Sequence, residues 1–444
     1  MEQRARPATT ITAKNGLTLE ECTAIALKRN LELQAARFDE ITKQAIHKSS
    51  SIKILPTVVF SGELSERDAP RYSFSDVLGQ EGMHPNPAEG PSVRNWSTGS
   101  ERSLWRYNVG LRWSLTDTAL AYYVSRSSRN DRIIAHYKKV RTAQKLVGAV
   151  EAAFFRLVGL QSSVAIAKEM HSVRKRIAKD AKDLHQDQLL PVEELQKALQ
   201  EAIDAEQILS KIYDDLEAQR NTLASLMGVS PDYCVDGGFY VVGCLSAPHF
   251  NVPPCKMEMT AAQNRPELFE SGLKHLNSVN DWKRTIVKYF PRVTGFWKVL
   301  RDNDKFLYEK DWKEVGLLVH FDLVEWLANL KESGAARSEA AKTDKDLAAA
   351  ALALTTQVRT AALRYGSSLK EVNLAERALR GHREVWQAVR ARYLMQDADK
   401  LTLEAAHAEV LNGRIRTTIA VGNANAALAN LKTELGTNYN EPLH

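Results

Sequence analysis

The histidine and acidic residues of this 444-residue sequence are not spaced to build a catalytic centre. His171 and His185 lie at least two helical turns apart with no third ligand near them, so we expect no metal site. Asp214 and Asp215 are adjacent and cannot share a helix face, because neighbours on a helix surface are three or four positions apart. The HExxH, GxSxG, P-loop and GxGxxG motifs are absent. We therefore expect neither an enzyme nor a cofactor.

Three of the four cysteines fall in one short segment. Cys234, Cys244 and Cys255 lack the CxxC spacing of a zinc site. In an oxidising compartment two of them could form a disulfide, and free thiols are the alternative. Cys22 lies apart from them, on an amphipathic segment.

Composition favours an ordered protein built from long helices. Hydrophobic residues make up 44% of the chain, charged residues 26% and aromatic residues only 7%, a balance typical of folded helical proteins. The formal net charge is +6, but Lys and Arg are interleaved with Asp and Glu, as on solvated helix faces. A nucleic-acid surface needs a clustered basic face with stacking aromatics, so we expect no nucleic-acid partner.

Targeting and membrane signals are sparse. No run of about 18 uninterrupted apolar residues is present, so we expect no membrane-spanning helix. Residues 1–16 contain Arg4 and Arg6 but no apolar stretch like that of a signal peptide. We interpret them as the N-terminal extension of a mature chain.

The chain divides into two similar halves, each in the order helix, strand, loop, strand, very long helix, turn and helix. We expect one repeat over 17–227, a linker at 228–256, a second repeat over 257–435 and a tail at 436–444. In the first repeat the helix covers Leu17–Ile54, the strands about 57–65 and 106–115 with a loop at 69–102, the long helix 119–186 and its partner 191–227. In the second repeat the corresponding elements are Met259–Tyr289, 292–301, 313–323, 326–396 and 401–435.

The strand segments alternate between apolar and polar residues. Tyr107, Val109, Leu111 and Trp113 occupy one face of their segment, a pattern typical of a strand with one apolar face. Four strands of roughly ten residues have the length of tilted bilayer-spanning strands. They cannot close a barrel by themselves, and open edges cannot face lipid, so three copies with twelve strands are expected.

Six aromatic residues lie in or beside these strands, and we expect them at the two membrane interfaces, with ordinary strand packing as the alternative. They are Trp105, Tyr107, Trp113, Trp297, Trp312 and Trp326.

The long helical segments lack proline, and each could extend about 100 Å. From Leu347 to Tyr393 the second segment carries apolar or small residues at alternating steps of four and three. This heptad seam predicts packing against antiparallel neighbours.

These features resemble the TolC-like outer-membrane efflux protein family over about Leu17 to Leu435. The stretch 17–37, LTLEECTAIALKRNLELQAAR, is similar to the family's N-terminal helix, which is followed by Leu-Pro and a strand, as at Leu55–Pro56. In the second half, NRPEL at 264–268 and YFP at 289–291 resemble the same element. The Val-Gly-Leu triplets at 109–111 and 315–317 are similar to its paired strands.

The turns between the long helices and their partners also resemble the family, which has a Tyr, a Gly three residues later and an acidic residue six further on. Tyr393, Gln396 and Thr402 fall at these places in the second half, and Leu184, Asp187 and Glu193 in the first. Glycine is therefore replaced at both turns.

The resemblance implies a homotrimer in the bacterial outer membrane. A shared 12-stranded barrel, four strands per chain, would contact outer-membrane lipid above a periplasmic α-helical tunnel of antiparallel coiled-coil helices. The implied function is the exit duct of a tripartite efflux or type I secretion system. Its partners would be a periplasmic membrane-fusion adaptor and an inner-membrane transporter of RND or ABC type. The rival interpretations are a non-membrane periplasmic coiled-coil scaffold or adaptor and, less compatible with the missing motifs, an enzyme with helical arms.

For such a duct we expect the gate and the adaptor-docking surface at the two turns, with solvated charges and seam packing as the alternatives. The candidate residues are Asp187, Glu193, Glu194, Tyr393, Asp397, Asp399, Lys400 and Glu404.

Overall fold

The computed structural model describes residues 16–69, 71–75, 95–230 and 239–439. In the first half the elements are α1 Leu19–Arg29, α2 Leu31–Ile52, β1 Thr57–Glu66, β2 Arg71–Ser75, β3 Asn95–Ser100, β4 Ser103–Ser114, α3 Leu115–Gln186 and α4 Val192–Met227. In the second half they are α5 Pro254–Asn264, α6 Pro266–Val287, β5 Arg292–Asp302, β6 Asp311–His320, α7 Leu323–Leu394 and α8 Lys400–Leu435.

Helix lengths repeat between the halves without any difference. α1 and α5 have 11 residues each, α2 and α6 have 22, α3 and α7 have 72, and α4 and α8 have 36. Each residue of α3 and α4 therefore has one counterpart in α7 and α8, 208 positions later. Gly228 and Gly436, which end α4 and α8 in the left-handed conformation, obey the same spacing.

Each helix predicted ahead of a first strand is in fact two helices. Asn30 leaves the helical conformation and caps α2, since its side-chain oxygen accepts a hydrogen bond from the Leu33 backbone at 3.1 Å. Arg265 is extended because it precedes Pro266, and a residue before proline is disfavoured in the α conformation. The expected spans Leu17–Ile54 and Met259–Tyr289 were therefore wrong as single helices.

Helix caps also correct the predicted strand ends. The Asp322 carboxylate accepts hydrogen bonds from the Val324 and Glu325 backbone amides at 2.8 and 3.0 Å, so α7 begins at Leu323, the last residue of the strand that the sequence predicts. Ser114 accepts one from the Asp117 amide at 3.2 Å, so Leu115 begins α3. The expected loop 69–102 contains the antiparallel hairpin β2–β3, and its residues 76–94 lie outside the described part of the chain.

One compact unit comprises residues 43–132 and 274–343 and contains the strands. Its main sheet is antiparallel with the order β1-β4-β5-β6. β1 and β6 are the two edges of this sheet and have no partner in the other described strands. Nine- and ten-residue registers join the neighbouring strands without a bulge.

The other compact unit comprises residues 16–42, 133–273 and 344–439 in its described parts. The heptad seam of α7 packs on α8: Leu354, Val358 and Tyr365 lie in one cluster with Leu431 and Leu435. Further along, Val372 packs on three α8 residues, Ala420, Val421 and Ala424. The small residues of the seam thus serve close helix packing.

α3 is the one described helix that is long and apolar enough to cross a membrane, judged by length and composition alone. Half of its most apolar window is buried. A search for an uninterrupted apolar run does not find this segment, because Glu151 and Arg156 lie within it. Val150, Phe154 and Leu157 belong to the main hydrophobic core, so packing between helices accounts for this composition.

Candidate functional site

The main sheet has an apolar face that is largely exposed. Cross-strand register puts the following residues on it: Val58, Phe60 and Leu64 of β1; Trp105, Tyr107, Val109, Leu111 and Trp113 of β4; Val293, Trp297 and Val299 of β5; Val315, Leu317 and Val319 of β6. Phe60 is 73% exposed and Val315 79%. A contiguous apolar surface of this kind marks a binding or membrane surface.

The opposite, polar face carries ion pairs. Arg106 donates to Asp302 at 2.7 Å across β4 and β5. Lys298 and Glu314 approach to 2.8 Å across β5 and β6. A sheet with lipid on one side and water on the other has this division of side chains.

Four of the six aromatic candidates lie on the apolar face: Trp105, Tyr107, Trp113 and Trp297. Trp105–Trp113 spans nine residues, and a tilted membrane-spanning strand needs about 9–11 residues. On the same face Arg301 and Asp311 are paired at 3.6 Å beside Tyr107. Lys313 also lies on this face, beside Val299.

The other two aromatic candidates are placed differently, and their location at a membrane interface stays a prediction. Trp312 pairs with Leu300, which lies on the polar face of the sheet. Trp326 belongs to the first turn of α7, because the strand before it ends at His320.

The two turns, called here the first tip (187–191) and the second tip (395–399), have the same backbone. Gln188 and Gln396 both adopt a φ of 60°. Leu189 donates to the Leu184 carbonyl and Asp397 to the Arg392 carbonyl, each at 2.9 Å. These are Schellman endings, in which the left-handed residue is usually glycine.

The shared backbone geometry shows which residues of the two tips are equivalent, and it shifts the equivalence expected from the sequence by one position. Gln188, and not Asp187, is the counterpart of Gln396, and His185 is the counterpart of Tyr393. His185 shares a hydrogen bond with the Leu190 carbonyl at 2.8 Å, which closes the first tip.

Two ion pairs near the second tip join α8 to α3. Lys400 donates to Asp180 at 2.9 Å, and this hydrogen bond raises the pKa of Lys400. Glu404 lies 3.9 Å from Arg176 and 4.0 Å from Lys400. The structure thus brings two of the predicted residues together and adds Asp180 and Arg176, which sequence reasoning missed.

The remaining tip candidates are separate. Asp187, Glu193 and Glu194 are exposed. Asp397 pairs with Arg392 at 3.0 Å, and Asp399 caps α8 by accepting from the Thr402 amide at 3.2 Å.

Tyr393 is 39% exposed. Within the part of the chain that the structure describes, its hydroxyl has no hydrogen-bond partner.

A buried arginine above the tips was also missed. Arg174 of α3 is paired with Glu201 of α4 and Glu409 of α8, so one side chain links three helices. Its side chain is only 9% exposed. The sequence did contain a sign of this contact, because a basic residue lies on the packing face of a long helix. A search for apolar periodicity treats such a residue only as a break in the apolar pattern.

A quartet of two buried arginines and two partly exposed carboxylates lies farther along α3. Arg141 contacts Glu267 at 2.6 Å and Glu434 at 3.2 Å, and Arg265 contacts the same two carboxylates at 2.8 and 3.0 Å. Burial acts to raise the pKa of Glu267, but the hydrogen bond from Arg265 and the two positive charges outweigh it, so that pKa lies below its ordinary value. The quartet ties α3, α8 and the α5–α6 junction together.

No group of three or more His, Cys, Asp or Glu in the described ranges could hold a metal ion. Cys244 and Cys255 are exposed free thiols, so they are not paired with each other, and Cys234 lies outside the described residues. Cys22 is buried, and desolvation raises the pKa of its thiol to about 12.

We expect Gln396→Gly to stabilise the second tip. A left-handed conformation costs a non-glycine residue about 1 kcal/mol, and glycine removes that cost. Hydrogen exchange of the amides from Met395 to Leu401 should slow by about fivefold, the equivalent of 1 kcal/mol. The matched control is Gln387→Gly inside α7, about two turns before its end, which should weaken the helix by about 1 kcal/mol. Equal effects of the two changes would contradict the interpretation.

Three solved structures share this fold over nearly the whole chain. The CmeC outer membrane channel of Campylobacter jejuni is 13% identical, with a TM-score of 0.75 over 99% of this chain and 91% of that one. The outer membrane protein VceC of Vibrio cholerae is 14% identical, with a TM-score of 0.70 over 94% and 96%. The outer-membrane channel OprN is 16% identical, with a TM-score of 0.74 over 94% and 89%.

At these identities the likeness establishes the fold. The expected mainly helical protomer with a small β part, resembling the TolC-like channels, is confirmed in that sense. No protein-family model matches the sequence, and no curated protein matches it.

Proposed function

We propose that this chain is one protomer of an outer-membrane channel that serves as the exit duct of an efflux or secretion system. The observation that carries the proposal is the main sheet, whose apolar face is exposed while its polar face holds ion pairs. In water such a face would aggregate, whereas in a bilayer it is the lipid-contacting surface. The fold shared with solved outer-membrane channels supports the same conclusion.

The sheet edges support a homotrimer. A bilayer tolerates strands only in a closed barrel, where every backbone group is paired. The edges β1 and β6 therefore need partners, and these come from neighbouring copies. Three copies give twelve strands, which close around an open lumen.

We further propose that the helical unit projects into the periplasm and receives substrate there. A membrane-fusion adaptor would dock on the exposed tips, and an inner-membrane transporter of RND or ABC type would supply the cargo. The exposed carboxylates Asp187, Glu193 and Glu194 favour this role, because they are available to a cationic partner surface. In this proposal the chain performs transport and no chemical reaction.

The rival function, a non-membrane coiled-coil scaffold or adaptor, explains the helices but not the exposed apolar strands. Purification discriminates between the two. A channel protomer extracts from membranes only with detergent and forms conducting trimers in planar bilayers. A monomer that stays soluble without detergent would contradict the channel.

The gate is proposed at the tips, held closed by the α8–α3 ion pairs. We expect the double variant Arg176→Ala/Lys400→Ala to raise the conductance of trimers in planar bilayers. Ion pairs this exposed to water each contribute little, so the open population should rise by only a few-fold. Lys197→Ala, on an exposed α4 position, is the matched control.

Tyr393→Phe and Glu193→Ala test the remaining gate candidates in the same assay. Unchanged conductance together with unchanged efflux would remove those two residues from the gate. If the ion-pair double variant is also unchanged, the gate lies elsewhere than at the tips.

A further inference from the structure

A polar cleft of about 670 Å³ lies where α8 packs between α3 and α7. Arg156 of α3 and Arg364 of α7 line it from the two sides, and Asn423 and Asn430 of α8 lie between them. Further hydrogen-bonding side chains come from α7: Thr356, Gln357 and Thr360. The cleft therefore combines two guanidinium groups with amides and hydroxyls on one surface.

The positive charge of the cleft is not compensated. Arg156 and Arg364 are exposed, and within the described ranges neither has a hydrogen-bond or ion-pair partner. Among the described residues that line the cleft, Glu434 is the only acid, and its carboxylate is already held by Arg141 and Arg265 at 3.2 and 3.0 Å. Guanidinium groups donate paired hydrogen bonds to carboxylates and phosphates, and the amides add neutral donors. The cleft is thus suited to a negatively charged group.

The two arginines are counterparts in the two halves of the chain. Each lies 41 residues after the first residue of its 72-residue helix. Both line the cleft beside the same stretch of α8, between Asn423 and Asn430. They therefore lie at one level along α8, and three copies of the chain would bring six arginines to that level.

The opposite face of these helices is covered by residues 239–253 of the linker. A Cβ added at Gly243 would lie 3.0 Å from the Phe154 ring of α3. Asn425 of α8 donates to the Ser246 carbonyl at 2.9 Å. Phe154 and Asn425 are each two positions from a cleft residue, a separation that turns them by about 200° around the helix. The linker and the cleft therefore lie on opposite faces of the same helices.

We propose that the cleft binds the carboxylate or phosphate group of a solute that passes through the tunnel, so that the exported substrate is an anion. The inference rests on the proposed channel, whose substrate class it names. A chain segment inside the tunnel would obstruct passage, so the linker belongs on the outer side of the wall and the two arginines face the lumen. Rings of Arg or Lys favour anions in other pores, and six arginines at one level would do so here.

Calorimetric titration with inorganic pyrophosphate tests the cleft. The detergent-extracted full-length protein is titrated at an ionic strength of about 0.01 M, where the Debye length is about 30 Å and charges are weakly screened. The double variant Arg156→Gln/Arg364→Gln should bind pyrophosphate about tenfold more weakly or worse, because it loses the charged donors.

The matched control is Lys168→Gln/Arg377→Gln, which removes the same charge from the same two helices. Lys168 and Arg377 are exposed. They lie 12 and 13 residues beyond the cleft arginines, so they are turned away by about 120° and 140° around the helix. The control should keep the pyrophosphate affinity of the unmodified chain.

Planar bilayers test the consequence for transport. In a KCl gradient, trimers of the unmodified chain should show a reversal potential of the sign that chloride preference gives. The arginine variant should move this potential toward zero, and the control should leave it in place.

The contrary outcomes are distinct. Conducting trimers with the same affinity and reversal potential in all three proteins overturn the anion site and leave the channel standing. Equal losses in the control and the arginine variant show general charge attraction and also overturn the site. A loss of affinity without a change in reversal potential overturns the anionic substrate. A chain that forms no conducting trimers overturns the proposed channel itself.

Discussion

Replacing Leu111 by arginine is expected to prevent the chain from inserting into a bilayer. Leu111 lies on the apolar face between Val58 and Trp297, and 45% of its surface is exposed. A lipid-facing arginine near the middle of a bilayer costs about 2–4 kcal/mol, and the proposed trimer would incur it three times. The fraction of protein recovered as membrane-inserted trimer should fall by more than tenfold when folding into lipid vesicles is measured.

The matched control is Asn108→Arg, three residues away on the polar face. There the new charge meets water and neighbouring ion pairs, so insertion should match that of the unmodified chain. If Leu111→Arg inserts as well as Asn108→Arg, the apolar face does not contact lipid and the channel proposal loses its main support.

Replacing Arg141 by methionine should cause the largest loss of stability in the helical unit. The change leaves Arg265 with two carboxylates, Glu267 and Glu434, and also removes a 2.8 Å hydrogen bond to the Thr433 carbonyl. Removing one partner of a buried pair costs about 3–5 kcal/mol. Both carboxylates are about one-third exposed, so we expect about 3 kcal/mol, the lower end of that range. Urea unfolding monitored by circular dichroism measures it.

Two further variants make this result specific. Adding Glu434→Gln to Arg141→Met restores charge balance and should recover part of the loss. Arg284→Met breaks an exposed pair with Asp281 at 2.9 Å and should cost less than about 1 kcal/mol. A loss no larger than that of Arg284→Met would show that the quartet contributes nothing beyond surface charge.

The elements that sequence reasoning located well are those with a strong period. The heptad residues of α7, such as Val358 and Tyr365, are the ones that pack on α8. Alternation in β4 placed Leu111 and Trp113 on one face correctly. In β6 the same alternation put Val315, Leu317 and Val319 on one face, and pairing with β5 confirms it.

The charged contacts could not be predicted, because they join distant parts of the chain. Lys400 and Asp180 are 220 positions apart, and Arg174 and Glu409 are 235 apart. No local pattern marks such partners. The tips were located correctly, but the register of the first was displaced by one residue, since Gln188 gives no sequence signal of the left-handed conformation that glycine would have marked.

The matched lengths of the long helices limit how the length of any one of them can change. One added residue turns the rest of a helix by about 100° and advances it by about 1.5 Å. An insertion in α7 alone would rotate Val385 about the helix axis. It would also displace the second tip along that axis relative to the first tip. Seven residues would preserve the seam while lengthening a single strut by about 10 Å. Longer or shorter helices therefore require the same edit in α3, α4, α7 and α8, so their length is adjustable only in coordinated steps.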